Sequence, residues 1–143
     1  MNSLSFREKS LWLLLLSLLA AFGAYFAAVL PAPGPDVAAD HVATFAGMLV
    51  LLVAVQVAGQ AVLAIANRRE LARPVQSDER DALISLKSTR LAAYVLATGV
   101  FCSLCLALVK PGNFAFMHAL LAFWVLAQAT EIASQLVLYR RGT

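Results

Sequence analysis

A single carboxylate, Glu131, stands inside a long apolar run near the carboxyl end of the sequence. A carboxylate surrounded by hydrocarbon must face a protein interior or a cavity, so its residue type alone nominates it for proton or cation handling. Gln128 and Gln135, three residues before it and four after, share its face of a helix and extend a polar stripe. Gln56 and Gln60 form a second stripe in an earlier apolar run, twelve and eight residues before Arg68. Gln128 and Glu131 stand twelve and nine residues before Arg140, so the depths match. Gln56, Gln60, Gln128, Glu131 and Gln135 are therefore expected to form one intramembrane polar cluster. Two readings follow: a proton or cation site with Glu131 as the titrating group, or a hydrogen-bonded packing network in which each interhelical bond contributes about 0.6 kcal/mol.

Other reactive residue types converge less. Cys102 and Cys105 make a C-x-x-C spacing, but within an apolar run rather than at a helix N-terminus that would activate a thiol, and no further ligand stands near them for a metal. They read as small packing residues. His41 and His118 fall near the ends of apolar runs, where imidazoles could sense external pH or make interfacial hydrogen bonds. No nucleophile and base converge, so no enzyme is expected, and neither a cofactor nor a metal.

The elements that must position these residues follow from composition. Of 143 residues, 62% are apolar and 13% charged. An ordinary soluble domain carries about a quarter charged residues, and a chain this short could not hide so much apolar surface inside itself. The expectation is an all-α integral membrane four-helix bundle in a single domain, with the lipid bilayer as its first partner. Four runs suffice to cross hydrocarbon: Leu11 to Leu30, His41 to Ala66, Leu91 to Val109, and Phe114 to Tyr139. Pro31, Pro33, Gly34 and Pro35 close the first, and Pro111 with Gly112 folds the third back on the fourth. The first run is longer than the apolar core of a signal peptide and reads as an uncleaved span. Trp12, Tyr25 and Tyr139 suit interface anchors. Ala20, Ala24 and Ala28, then Ala43 and Gly47, permit close helix approach within the chain or in a homodimer.

The formal charge of +3 reflects where the basic residues stand rather than direct nucleic-acid binding, which is not expected. Arg7, Lys9, Arg68, Arg69, Arg73, Arg80, Lys87, Arg90, Arg140 and Arg141 flank the spans on one side, against Lys110 on the other. The positive-inside rule then places both termini and the middle loop in the cytoplasm. A shift of 72 residues lays Gln56 on Gln128, Ala61 on Ala133, and Arg68-Arg69 on Arg140-Arg141. The halves read either as two parallel two-helix repeats or as coincidence among similar apolar helices.

The middle loop carries the most specific segment. Ser77 offers an N-cap, and Asp78, Glu79 and Asp81 put negative charge in a first helical turn, with Arg80 among them. A helix from about Asp78 to Val109 would outrun the hydrocarbon by roughly 18 Å and project into the cytoplasm. Its charged turn, with Leu83, Ile84 and Leu86 beside it, could dock a soluble partner or simply pair with Arg7, Lys9 or Arg140.

Ser77-Asp-Glu-Arg-Asp-Ala-Leu-Ile-Ser-Leu-Lys-Ser-Thr-Arg90, with Phe6-Arg-Glu-Lys9, Trp12, Tyr94, Gly99 and the terminal Tyr-Arg-Arg-Gly, resembles an uncharacterised bacterial family of small four-helix membrane proteins. Members of that family accompany small helix-turn-helix regulators in genomes. The resemblance implies a non-enzymatic sensor or sequestering partner of a cytoplasmic transcription regulator, with Asp78, Glu79, Arg80 and Asp81 as the docking turn. The alternative is a small proton-coupled four-span transporter that works as a dimer around Glu131, although exporters of that kind carry their glutamate in the first helix.

Overall fold

The computed structural model describes residues 5–68 and 79–141, and every regular element among them is an α-helix. They are α1 (Phe6–Val29), α2 (Ala39–Ala66), α3 (Glu79–Val109) and α4 (Phe114–Arg141). Each contains a stretch long and apolar enough to cross a membrane. α1 begins before the apolar run because Ser5 and Glu8 cap it reciprocally. The Ser5 hydroxyl accepts from the Glu8 amide at 3.3 Å, and the Glu8 carboxylate accepts from the Ser5 amide at 3.0 Å. α2 has half of such a box: His41 Nδ1 accepts from the Ala38 amide at 3.2 Å, and alanine has no oxygen to return the bond. At its other end Asn67 donates twice to the Leu63 carbonyl, from its backbone amide at 2.9 Å and from its side-chain amide at 2.7 Å.

Two connections are knitted together at the end of the molecule opposite the chain termini. The Phe114 amide donates to the Pro35 carbonyl, the Asn113 amide to Asp36 Oδ1, and the Val37 amide to Asn113 Oδ1, at 2.7 to 3.1 Å. Gly112 makes this possible. Its φ of +79° suits glycine, and a Cβ there would collide with the Pro35 carbonyl.

The helices pack in the order α2, α1, α4, α3: α1 touches α2 and α4, and α3 lies against α4. The core forms where α1 meets α4, from Leu15, Leu18 and Phe22 on one side and Val125, Ile132 and Leu136 on the other. α2 buries none of its residues within the chain. Two glycines set helix spacing: a Cβ at Gly59 would meet Leu13 on α1, and one at Gly99 would meet Phe123 on α4. The chain thus forms two hairpins joined through α1 and α4. A twofold relation between the halves would require α2 to meet α3 as α1 meets α4, and α2 and α3 make no comparable contact.

Candidate functional site

The polar side chains gather in three layers along the bundle. At the end that carries the termini, charged groups are used within the chain. Arg7 on α1 donates to Asp81 Oδ2 on α3 at 2.6 Å, with both side chains partly exposed. The same guanidinium lies 4.9 Å from the Tyr139 ring centre, and that of Arg140 lies 5.7 Å from the Trp12 ring, both within cation–π reach. Lys9 donates to Asn67 Oδ1 at 2.8 Å, tying α1 to the end of α2. Of the four docking-turn residues, Asp81 is therefore paired inside the chain and Glu79 is exposed. Arg80 stands in the first turn of α3, and Asp78 lies outside the described residues.

The middle layer divides the five residues expected to cluster. Gln56 donates to Ser17 on α1, and Gln60 accepts from Ser10 on α1 at 2.9 Å. Glu131 instead turns toward α3, where its Oε1 accepts from Thr89 at 2.7 Å. Gln128 and Gln56 reach the same small apolar cleft of about 110 Å³ beside Trp124 and Leu18, and the Gln56 carbonyl oxygen is buried there without a hydrogen-bond partner. Gln135 is half-buried on α4. The structure thus brings Gln56 and Gln128 together and separates Gln60 and Glu131 to either side of the α1–α4 core. The cause is helix order: α1 lies between α2 and α4, so its serines intercept the α2 glutamines before they can reach Glu131. Ser17 and Thr89, each the hydroxyl partner of a polar side chain on the next helix, are 72 residues apart, the same offset that aligns the two halves of the sequence.

This geometry gives an expected result. Glu131→Gln keeps an acceptor at the same place, so the Thr89 bond and the thermal stability of the purified protein should be retained. Glu131→Leu removes that acceptor and should lower stability by about 1 kcal/mol. An equal loss in the Gln and Leu variants would mean that the charge of Glu131, rather than its hydrogen bond, supports the fold.

The third layer lies at the end opposite the termini and was only partly visible in sequence, where His41 and His118 were read singly. Tyr25 of α1 and His118 of α4 are buried, with the hydroxyl 2.9 Å from Nε2 and the two rings parallel within 5°. His118 Nδ1 stands 2.8 Å from the Phe114 carbonyl. A carbonyl only accepts, so Nδ1 carries the hydrogen and Nε2 receives the tyrosine proton; both imidazole nitrogens are satisfied. His41 lies across, its ring perpendicular to that of His118 at 6.0 Å. The signal that could have joined them is distance from the loops: Tyr25 precedes the end of α1 by one turn, and His118 follows the start of α4 by one turn.

Among the described residues, no group of three or more His, Cys, Asp or Glu side chains could hold a metal ion. Cys102 and Cys105 are free thiols. Comparison of the chain with protein-family models, with curated proteins and with solved structures finds no match.

Proposed function

We propose that this chain is a non-enzymatic four-span inner-membrane protein of bacterial type, a sensor or sequestering partner that acts on a soluble transcription regulator at its cytoplasmic face. The observation that carries the reading is the start of α3. At 1.5 Å per residue its 31 residues extend about 46 Å, roughly 16 Å more than the hydrocarbon thickness. On the part beyond the membrane, Glu79 is exposed and Leu83 and Leu86 are 55% and 59% exposed, a combination of charge and apolar edge that suits protein docking. The Arg7–Asp81 pair braces this turn against α1, so a change in how the spans pack would move the docking surface with it. The excess of basic residues flanking the spans on this side supports a cytoplasmic position for the surface and for both termini.

A proton-coupled carrier that works as a dimer is the alternative, and it rests on Glu131, whose carboxylate engages Thr89 and shares no chamber with Gln56 or Gln60.

The test is membrane sidedness. Single cysteines introduced between Ala32 and Ala38, in a background with Cys102 and Cys105 replaced by Ala, should react with an impermeant maleimide in intact cells. Those at Gln76 and Gly142 should react only after lysis. Labelling of Gln76 from outside would put the start of α3 beyond the reach of any cytoplasmic protein and end this reading.

A further inference from the structure

The side of α3 turned away from the bundle carries two cations that the chain leaves unused. Lys87 and Arg90 are exposed, and neither enters an ion pair among the described residues. Other basic side chains at this end are engaged: Arg7 with Asp81, Lys9 with Asn67, and Arg140 over the Trp12 ring. Ile84, Ser88 and Ala92 are buried where α3 packs on α4, and the helical period puts Lys87, Arg90 and the 65% exposed Tyr94 together on the opposite side. Side chains three apart on a helix start about 5 to 6 Å from one another, so the ammonium and the guanidinium can close on one phosphate. Depth agrees with that ligand. Counted back from Val109 at 1.5 Å per residue, Arg90 stands about 28 Å away and Lys87 about 33 Å. Hydrocarbon is about 30 Å thick, with roughly 5 to 7 Å of headgroup beyond each edge, so the pair brackets the boundary beside which lipid phosphates lie. Helical side chains lean toward the N-terminus, here the headgroup end, which lifts the Tyr94 hydroxyl toward Arg90. No carboxylate competes at this level: Asp81 is held by Arg7, Glu131 accepts from Thr89, and Glu79 begins α3 eight residues, about 12 Å, before Lys87.

We propose that Lys87 and Arg90 hold the phosphodiester of one anionic glycerophospholipid, with the Tyr94 hydroxyl as a third donor. Arginine meets phosphate oxygens with two parallel N–H groups, and lysine adds a point charge. The charge balance selects the headgroup. A zwitterionic lipid would bring a second cation beside these two, where no carboxylate receives it, whereas phosphatidylglycerol brings one negative charge and otherwise only hydroxyls. An acyl chain alone would leave both cations without a counter-charge, and an acidic segment of a soluble protein would have to descend to the hydrocarbon edge to meet them. A phosphate fastened here fixes the depth at which α3 leaves the membrane. The proposal needs α3 to cross a bilayer; it depends neither on the regulator reading nor on which face is cytoplasmic.

The experiment titrates the full chain, in a mild detergent, with dioleoyl phosphatidylglycerol or dioleoyl phosphatidylcholine and reads the dissociation constant of the first bound lipid by native mass spectrometry. A cation beside an anionic lipid contributes about fivefold in affinity, so the first phosphatidylglycerol should bind about twenty-fivefold more tightly than the first phosphatidylcholine. Lys87→Gln and Arg90→Gln should each cut that preference about fivefold, and together abolish it, while leaving phosphatidylcholine unchanged. Tyr94→Phe should weaken phosphatidylglycerol about threefold, the loss of one hydrogen bond. Arg68→Gln removes the same charge from an exposed residue beside the end of α2 and should change nothing. All four positions are exposed, and circular dichroism of each variant checks that the helices form; the preference of the unaltered chain is a test in itself. Equal affinity for the two lipids would overturn the proposal. So would a loss in Arg68→Gln as large as in Lys87→Gln, which would mean diffuse attraction to net charge. Displacement of phosphatidylglycerol by excess glycerol phosphate would overturn the lipid as ligand and assign the two cations to a soluble phosphate ester.

Discussion

Gly99→Val should be strongly destabilising to the helical bundle, lowering stability by about 2 kcal/mol. α3 and α4 make the most extensive helix pair, and Gly99 of α3 lies against the Phe123 stem on α4. A Cβ there would meet Phe123 at its Cβ and Cγ. Those atoms cannot swing aside as a ring tip can, so either α3 moves away from α4 or Phe123 is forced from its rotamer. Valine adds two methyl groups in the same direction. Because membrane helices associate through packing rather than through expulsion of water, a lost close approach is not recovered by burying the added methyls elsewhere. The comparison is Gly23→Val, since a Cβ at Gly23 has nothing within 4 Å. Thermal unfolding of both variants in the same detergent, followed by circular dichroism, should show a clear drop for Gly99→Val and a change within about 0.5 kcal/mol for Gly23→Val. Equal midpoints would mean that α3 and α4 do not pack as described.

Helix ends were legible in the sequence because they depend on local chemistry. Pro31 and Pro111 stop helices for want of an amide hydrogen and by ring sterics. The four apolar runs likewise became four helices long and apolar enough to cross a membrane. Helix order was not legible. Spans that are apolar all round carry no periodic signal to say which face turns inward, so matched depths for Gln56, Gln60, Gln128 and Glu131 suggested one cluster, when α1 in fact lies between the two helices that carry them. Their partners, Ser10, Ser17 and Thr89, drew no notice because a hydroxyl in a helix satisfies itself on a backbone carbonyl one turn back, as Ser88, Ser103 and Thr130 do here. The Tyr25 and His118 pair escaped for a related reason: its members are 93 residues apart, and nothing local relates them.

The second large effect is expected at the α3 start. Replacing Asp78, Glu79 and Asp81 by Asn, Gln and Asn removes three negative charges with almost no change in size, and it leaves the spans and the flanking basic residues that direct insertion. The protein itself should tolerate the change, because the Arg7–Asp81 pair is partly exposed and such pairs contribute only about 0.2 to 1 kcal/mol. Recognition should not tolerate it. Complementary charge speeds encounter and fixes register, and its loss across a docking turn should lower recovery of a soluble partner severalfold while making what remains less sensitive to salt. Leu83 and Leu86 are untouched, so apolar contact alone would sustain the residue of binding.

The measurement that bears most directly on a cytoplasmic docking role is therefore recovery of a helix-turn-helix regulator from native membranes, identified by mass spectrometry, with the original and the charge-neutral chain at matched expression and across a salt series. The expected result is a regulator that co-purifies with the original chain, falls away as salt rises, and is recovered severalfold less with the neutral turn at low salt. Equal recovery by both chains at every salt concentration, or no regulator with either, would contradict it and return Asp78, Glu79 and Asp81 to a purely structural role at the start of their own helix.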